Sequence, residues 1–364
     1  MRILRNYILK ELIGPFLIAL AILTFVMVTG NIVQMADMII NKGVSPLSML
    51  KIFFGLIPYL LSYTIPMALL IATIMCFGRL ASDNEVVAMK ASGISLYKIG
   101  FPVIIFAFIV SMFQVYLNDT IISKAHYYTR RIIKHVGVKN PTAYLEAGTF
   151  IKDFKDYIVF IYNINGNKLD NIRIYKTQEN GPTRTIIAQK GEFTSYPEKE
   201  MIILTLINGT ADEPHPKNPN VFYKVNFKKY NITLNLAEEL SDTNVSKKTK
   251  DMSISELKDE ILKMKASNIK TTPLLTEIHK KLALAFSGFV FVLVGLPIAI
   301  NTRRREKSAA FGISLVLVLL YYGIFIGGEA LVLKEIVPPL LGMWAGNIIF
   351  LTAGLLLIVK VAER

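Results

Sequence analysis

Residue types that carry out covalent or proton-transfer chemistry are sparse in this chain of 364 residues. Its four histidines, His126, His135, His215 and His279, show no metal-ligand spacing. His279, in Glu277-Ile-His-Lys-Lys281, reads as a solvated histidine at a membrane interface. No Gly-Lys dipeptide occurs, which excludes a Walker-type phosphate loop in this chain. No Gly-x-Ser-x-Gly elbow presents a nucleophilic serine. The single cysteine, Cys76, lies in an apolar run, so no internal disulfide can form. No catalytic residue, resident cofactor or metal site is expected. The most informative short segment is Ser82–Gly93, where Ser82-x-x-Glu85 has the form of a capping box and Gly93 is a natural stop. A helix of about ten residues is marginal alone in water. With Val86, Val87 and Met89 exposed, it calls for a docking partner; the plain alternative is a turn resting on lipid.

The elements that must position this segment are membrane spans. Apolar residues make up 52% of the chain, and they are gathered in charge-free runs over 12–36, 52–78, 99–118, 282–302, 308–328 and 336–359. A helix crosses about 30 Å of hydrocarbon with about 20 such residues. The first run is too long for a cleaved signal peptide and no small-x-small site closes it. If the N-terminus is cytoplasmic, the cytoplasmic flanks hold twelve Lys and Arg residues, including Arg79, Arg303, Arg304 and Arg305. The short outer loops then hold only three, Lys42, Lys51 and Lys334. The positive-inside rule therefore predicts both termini in the cytoplasm and residues 120–281 outside. The net charge of +14 belongs to these flanks and to the outer segment, and does not imply nucleic-acid binding.

Residues 147–236 carry the period of two expected of strands. Ile172 and Ile174 alternate with polar neighbours, as do Ile202, Leu204 and Leu206. In the last strand the apolar set shifts parity at Lys228–Lys229, predicting a β-bulge or a bend. Asn165-Gly166-Asn167, Asn180-Gly181-Pro182, Asn208-Gly209 and Pro214-His215-Pro216 read as turns. Several short strands with regular turns suggest a sandwich, a jelly-roll or a partly open barrel. A polar linker over 241–250 leads to a second capping box, Ser253-x-x-Glu256, and to a helix with Ile254, Leu257, Ile261 and Leu262 on one face. Gly323-x-x-x-Gly327 and Gly342-x-x-x-Gly346 are candidate helix-packing motifs.

In order and spacing, four blocks resemble the LptF/LptG permease family of the lipopolysaccharide exporter. They are Ile3-Leu-Arg-Asn-Tyr7; Gly78 to Gly93; Glu277-Ile-His-Lys-Lys281 running into Gly295-Leu-Pro297; and Pro338-Pro339 followed by Trp344 and Asn347. The resemblance covers nearly the whole chain and leans to the F-type permease. It implies an α+β membrane protein: six transmembrane helices with a periplasmic β-jelly-roll between helices 3 and 4. The expected divisions are 1–119 (helices 1–3, coupling helix at 82–93), 120–275 (jelly-roll and C-terminal linker helix) and 276–364 (helices 4–6).

By the same resemblance the chain is a permease subunit that extracts lipopolysaccharide from the outer leaflet of the Gram-negative inner membrane. A second LptF/LptG-type permease pairs with it. A dimer of a cytosolic ABC ATPase of LptB type binds ATP and Mg, and a bitopic partner of LptC type receives the lipid for a periplasmic bridge. Ser82, Asp83, Glu85, Val86, Val87 and Met89 would couple to the ATPase. Lys42, Lys124, Arg130, Arg131 and Lys134 are candidates for the lipid's anionic groups, with interfacial anchoring as the plain alternative. Phe160 and Ile202 are candidates for its acyl chains. Unlike many family members, the outer end of the first span, Asn31 to Asp37, has no basic residue. Two other classes compete with this reading. A non-transporting mechanotransmission protein coupled to an ATPase usually has four spans with its domain after the first. A membrane enzyme would need polar catalytic groups in its spans.

Overall fold

A computed structural model describes residues 2–40, 44–139, 148, 150–154, 157–165, 168–178, 181–196, 201–214, 222–235, 247–266, 270–302 and 307–363. Six helices are long and apolar enough to cross a membrane. They are α1 (Arg2–Ile40), α2 (Pro46–Ser82), α4 (Leu96–Tyr116), α7 (Thr272–Thr302), α8 (Lys307–Leu333) and α9 (Pro339–Ala362). The third span continues from α4 through a π-helical turn, Leu117–Ile121, into α5 (Ile122–Lys139). Between α2 and α4 lies the short α3 (Glu85–Ala91), and α6 (Ile254–Ala266) precedes α7. A six-stranded antiparallel sheet stands between spans three and four in sequence, so the chain is a mixed helix-and-sheet membrane protein.

Two compact units are formed. One comprises Met1–Asn31, Phe54–Tyr127 and Lys248–Arg364; the other comprises Ile32–Phe53 and Tyr128–Lys247. In the helical unit α7 is central. Leu69 and Leu70 of α2 lie where a Cβ on Gly288 or Gly295 would come within 2.8 and 2.9 Å, so both α7 glycines serve close packing. Tyr321, Phe291, Phe325 and Phe350 fill the space among α7, α8 and α9. Asn347 ties this layer together, accepting from the Tyr321 hydroxyl at 2.9 Å and donating to the Ala283 carbonyl at 2.9 Å.

The glycine motifs divide. The close approach of α8 and α9 is made by Gly328 and Gly342, whose backbones leave no space for a side chain, and Gly346 seats the Tyr321 ring. Among the described residues a Cβ added to Gly323 or Gly327 would meet nothing within 4 Å, so that pair packs no helices together there. It shares a sequence pattern with the packing pair but lies on the uncovered side of α8.

The strands are β1 (Phe150–Phe154), β2 (Tyr157–Asn165), β3 (Lys168–Gln178), β4 (Gly181–Tyr196), β5 (Met201–Pro214) and β6 (Phe222–Asn235). They pair in sequence order as a meander, and the crossing connections of a two-sheet jelly-roll are absent among the described residues. Asn165 faces Lys168 and Gln178 faces Gly181, while Gly166, Asn167 and Asn180 of the expected turns lie outside the described residues. His215 and Pro216 lie outside the described residues. Asn208-Gly209 is not a turn, contrary to its sequence signal. It sits in the middle of β5, with Asn208 in the left-handed region at φ 53°.

Its role emerges from the register. Tyr162, Asn171, Gln189, Asn208 and Lys228 face one another across β2 to β6, because the pairs flanking them are Ile161–Ile172, Ala188–Gly209 and Gly209–Phe227. Along this row every strand changes its inward parity. Ile161 and Ile164 both pack on the core of β2, Leu169 and Ile172 on that of β3, Ala188 and Gly191 face inward on β4, and Phe227 and Ile232 do so on β6. Asn171 also has a left-handed φ of 52°. The sheet is thus creased along one line. The parity change at Lys228–Lys229 is this bend; no bulge occurs there, since β5 and β6 keep one register throughout.

Candidate functional site

The segment 82–93 folds differently from its capping-box reading. The second span runs on to Ser82, and Asp83-Asn84 turns the chain. The α3 cap is Asn84, in the left-handed region at φ 57° and without a side-chain cap bond. Asparagine tolerates that conformation, which lets two helices meet with almost no loop. Ser82 Oγ is buried without a hydrogen-bond partner among the described residues. The far end of α3 obeys the sequence. Gly93 has φ +80°, its N–H donates to Lys90 O, and the Ile94 N–H donates to Met89 O, a Schellman stop.

Glu85 does not reach back to Ser82. Its carboxylate accepts from the Tyr7 hydroxyl at 2.8 and 3.1 Å. Arg79 donates to the same Tyr7 oxygen at 2.9 Å and pairs with Glu11 at 3.2 Å, Glu85 at 3.7 Å and Asp83 at 3.8 Å. A five-residue polar cluster therefore anchors α3 to α1 and α2. Its three carboxylates outnumber its single cation, so it carries negative charge. Val86 is buried in the main core and Met89 is half-buried, correcting the expectation that both are exposed. Val87 is 47% exposed, and Ala88 and Ala91 are exposed beside it. The outward face of α3 is small and apolar.

Beside this cluster, α1, α2 and Phe311 of α8 enclose a cleft of about 640 Å³. Ile18, Ile22, Leu23, Ile71 and Met75 line its length, with Glu11, Arg79 and Asp83 at one end. It has the form of an apolar slot with a polar mouth.

The other end of the helical unit holds a second polar junction that sequence reading missed. From the π-helical turn Asn118 Nδ2 donates to the Lys281 carbonyl at 2.9 Å, and from α4 just before it Gln114 Nε2 donates to the Ser62 carbonyl at 2.6 Å. Lys281, buried at the start of the fourth span, donates to Ser123 Oγ at 2.7 Å and to the Met252 carbonyl. Asp119 accepts from the Ile254 N–H at 2.6 Å. The Ser253-x-x-Glu256 capping box forms as expected, with Ser253 N to Glu256 at 2.9 Å and Glu256 N to Ser253 Oγ at 3.3 Å. Leu257 and Ile261 of α6 then pack on Leu274 and Ile278 of α7, while Leu262 turns out to be 68% exposed. Glu329 pairs with Lys280 at 2.6 Å. His279 is half-buried, with its Nδ1 buried and lacking a hydrogen-bond partner among the described residues. The available signal was the polar pair Asn118-Asp119 closing one apolar run and Lys280-Lys281 opening another.

The remaining candidates are dispersed. Lys124, Arg130, Arg131 and Lys134 lie on α5; Lys124 and Arg131 are exposed and Arg130 is half-buried. Phe160 lies on β2 with its ring 4.9 Å from that of Tyr162, and Ile202 pairs with Ser195 and Leu234 in the sheet. Lys42 and Arg303 to Arg305 fall outside the described residues. Among the described residues no group of His, Cys, Asp and Glu is placed to hold a metal ion.

The sequence blocks singled out above thus meet in space: Tyr7 with Glu85, and Asn347 with Ala283 two residues beyond Lys281. The sequence model of the family described as lipopolysaccharide export system permease LptF/LptG matches residues 6–360. The chain belongs to that family. The Escherichia coli K12 lipopolysaccharide export system permease protein LptF is 21% identical over 362 residues, covering 98% of this chain and 94% of the relative. The Haemophilus influenzae permease protein LptG is 27% identical over 173 residues, covering 47% of this chain and 48% of the relative. The uncharacterized protein RP871 of Rickettsia prowazekii is 20% identical over 311 residues, covering 85% of this chain and 84% of its own. Membership of the LptF/LptG family, with six apolar helices, makes this a multi-pass inner-membrane permease.

Proposed function

We propose that this chain is one transmembrane half of an ATP-driven exporter that extracts lipopolysaccharide from the outer leaflet and passes it to a periplasmic bridge. A second LptF/LptG-type permease completes the pathway, an LptB-type ATPase dimer binds ATP and Mg, and an LptC-type bitopic partner receives the lipid. Both termini face the cytoplasm and the sheet faces the periplasm, in keeping with the basic flanks. The observation that carries this reading is α3. Tyr7 and Arg79 hold Glu85 inward, so the helix is braced against two spans while Val87, Ala88 and Ala91 face out. A short rigid helix with an apolar face fits a groove on a soluble partner, and its bracing passes force to α1 and α2. An exporter is needed because each CH₂ of an acyl chain exposed to water costs about 0.8 kcal/mol.

Val87→Asp tests the assignment without touching the bracing. Purified with its co-expressed ATPase, the variant is expected to lose the ATPase and ATP-dependent lipid release. If the ATPase co-purifies at the normal yield and turnover stays coupled to release, α3 is not the docking element.

A further inference from the structure

The crease across the sheet is built at a cost. Asn171 and Asn208 both hold a left-handed backbone inside strands, a conformation that disfavours L residues and clusters at functional positions. Beside Asn208, a Cβ on Gly209 would collide with the Ile187 carbonyl and the Phe227 ring, so the local chain is closely specified. On the side facing away from the sheet core, this row opens a groove of about 410 Å³. Asn171, Gln189 and Asn208 supply three carboxamides side by side on adjacent strands. Arg173 lies 5.6 Å above the Tyr162 ring at one side, and Thr210 closes the other. Tyr162 is 46% exposed and Ile187 43%, and among the described residues no carboxylate lines the groove.

We infer that this groove is a binding site for an acidic saccharide, meaning a sugar that bears a carboxylate or phosphate. Carboxamides both donate and accept, which suits the paired donor and acceptor character of sugar hydroxyls. An exposed tyrosine ring offers a flat apolar face to the C–H side of a sugar ring. A guanidinium in a groove without carboxylates prefers a planar or tetrahedral oxyanion, which it grips through two parallel hydrogen bonds. Neither a bare acyl chain nor a basic peptide uses this combination. The inference deepens the export reading and rests on it for the ligand's source: the saccharide is the polar part of the transported glycolipid, held on the outer sheet face while its chains occupy apolar surroundings.

The test uses the full chain in detergent, with binding followed by microscale thermophoresis. Three probes are compared: the acidic oligosaccharide released from lipopolysaccharide by mild acid, a neutral maltoheptaose, and an acylated diglucosamine phosphate that lacks the oligosaccharide. The unmodified chain is expected to bind the acidic oligosaccharide and to prefer it over maltoheptaose. Arg173→Gln should weaken that binding about tenfold, equivalent to about 1.4 kcal/mol, and remove the preference for the acidic sugar. Tyr162→Ala should weaken both sugars. Asn208 is left intact because its backbone shapes the crease, and an unchanged melting temperature certifies each variant's fold. The inference is overturned if the acidic oligosaccharide fails to bind and binding of the acylated probe is untouched by Arg173→Gln, or if Arg173→Gln leaves oligosaccharide affinity unchanged. It is equally overturned if the variants lose a co-purifying periplasmic protein while sugar binding persists, which would make the groove a protein interface. Lipid release by the assembled transporter is scored separately. Release with no sugar binding sinks the groove alone, and sugar binding with no release sinks the export reading alone.

Discussion

Removing one oxygen atom, by Tyr7→Phe, isolates the bracing of α3. The ring keeps its packing against the main core, but the hydroxyl that joins Glu85 and Arg79 is gone. Each lost bond has a charged partner, a class that contributes about 1.5–3 kcal/mol when shielded from water. Here the side chains of Arg79 and Glu85 are 43% and 29% exposed, so water and screening return most of it. Arg79 also keeps its ion pairs with Glu11 and Glu85. A net loss of about 1 kcal/mol is expected, which raises the open population of α3 about fivefold. Hydrogen exchange in lipid nanodiscs measures this directly. Amides of residues 88–94, whose bonds close α3 and its Schellman stop, should exchange about fivefold faster, while amides in the interior of α2 stay unchanged. In the reconstituted transporter, ATP-coupled lipid release should fall by no more than the same factor. Unchanged exchange across 88–94 in a normally folded variant would refute the bracing argument.

Other expectations follow from the same geometry. Lys281→Met strips Ser123 Oγ of its donor and leaves the Met252 carbonyl only the Ser123 hydroxyl at 3.1 Å, and should cost about 1–3 kcal/mol, seen as a lower melting temperature and faster proteolysis near residues 247–252. Gly342→Leu forces apart α8 and α9 and should destabilise by about 1–3 kcal/mol in thermal unfolding, whereas Gly323→Leu, with open space around it, should leave the isolated chain's melting temperature unchanged. At the crease, Asn208→Gly keeps the left-handed backbone and should be tolerated, whereas Asn208→Val should cost about 1–3 kcal/mol by the same assay.

Several features were legible because their signals are local. The second capping box and the Gly93 stop depend on residues within a few positions of one another. The Lys228–Lys229 parity change revealed the crease because alternation along one strand records which side faces the core. The first capping box failed for a reason of scale: the second span had enough apolar sequence to carry its helix through Ser82, leaving no N-terminus there to cap. Asn208-Gly209 misled for a related reason. Its preference for a left-handed backbone suits a turn or a crease equally, and only pairing on both sides of β5 decides between them.

The sequence by itself determined the number of spans, the strand-rich insert and the family, since span length and alternation are properties of contiguous residues and are set by transfer from water. Only the tertiary structure decided what braces α3 and what Lys281 holds. Glu85 meets Tyr7 from 78 positions away and Lys281 meets Ser123 from 158. Such partners are chosen by which helix faces pack together, and many polar residues along the chain had equal local claim to be one of them.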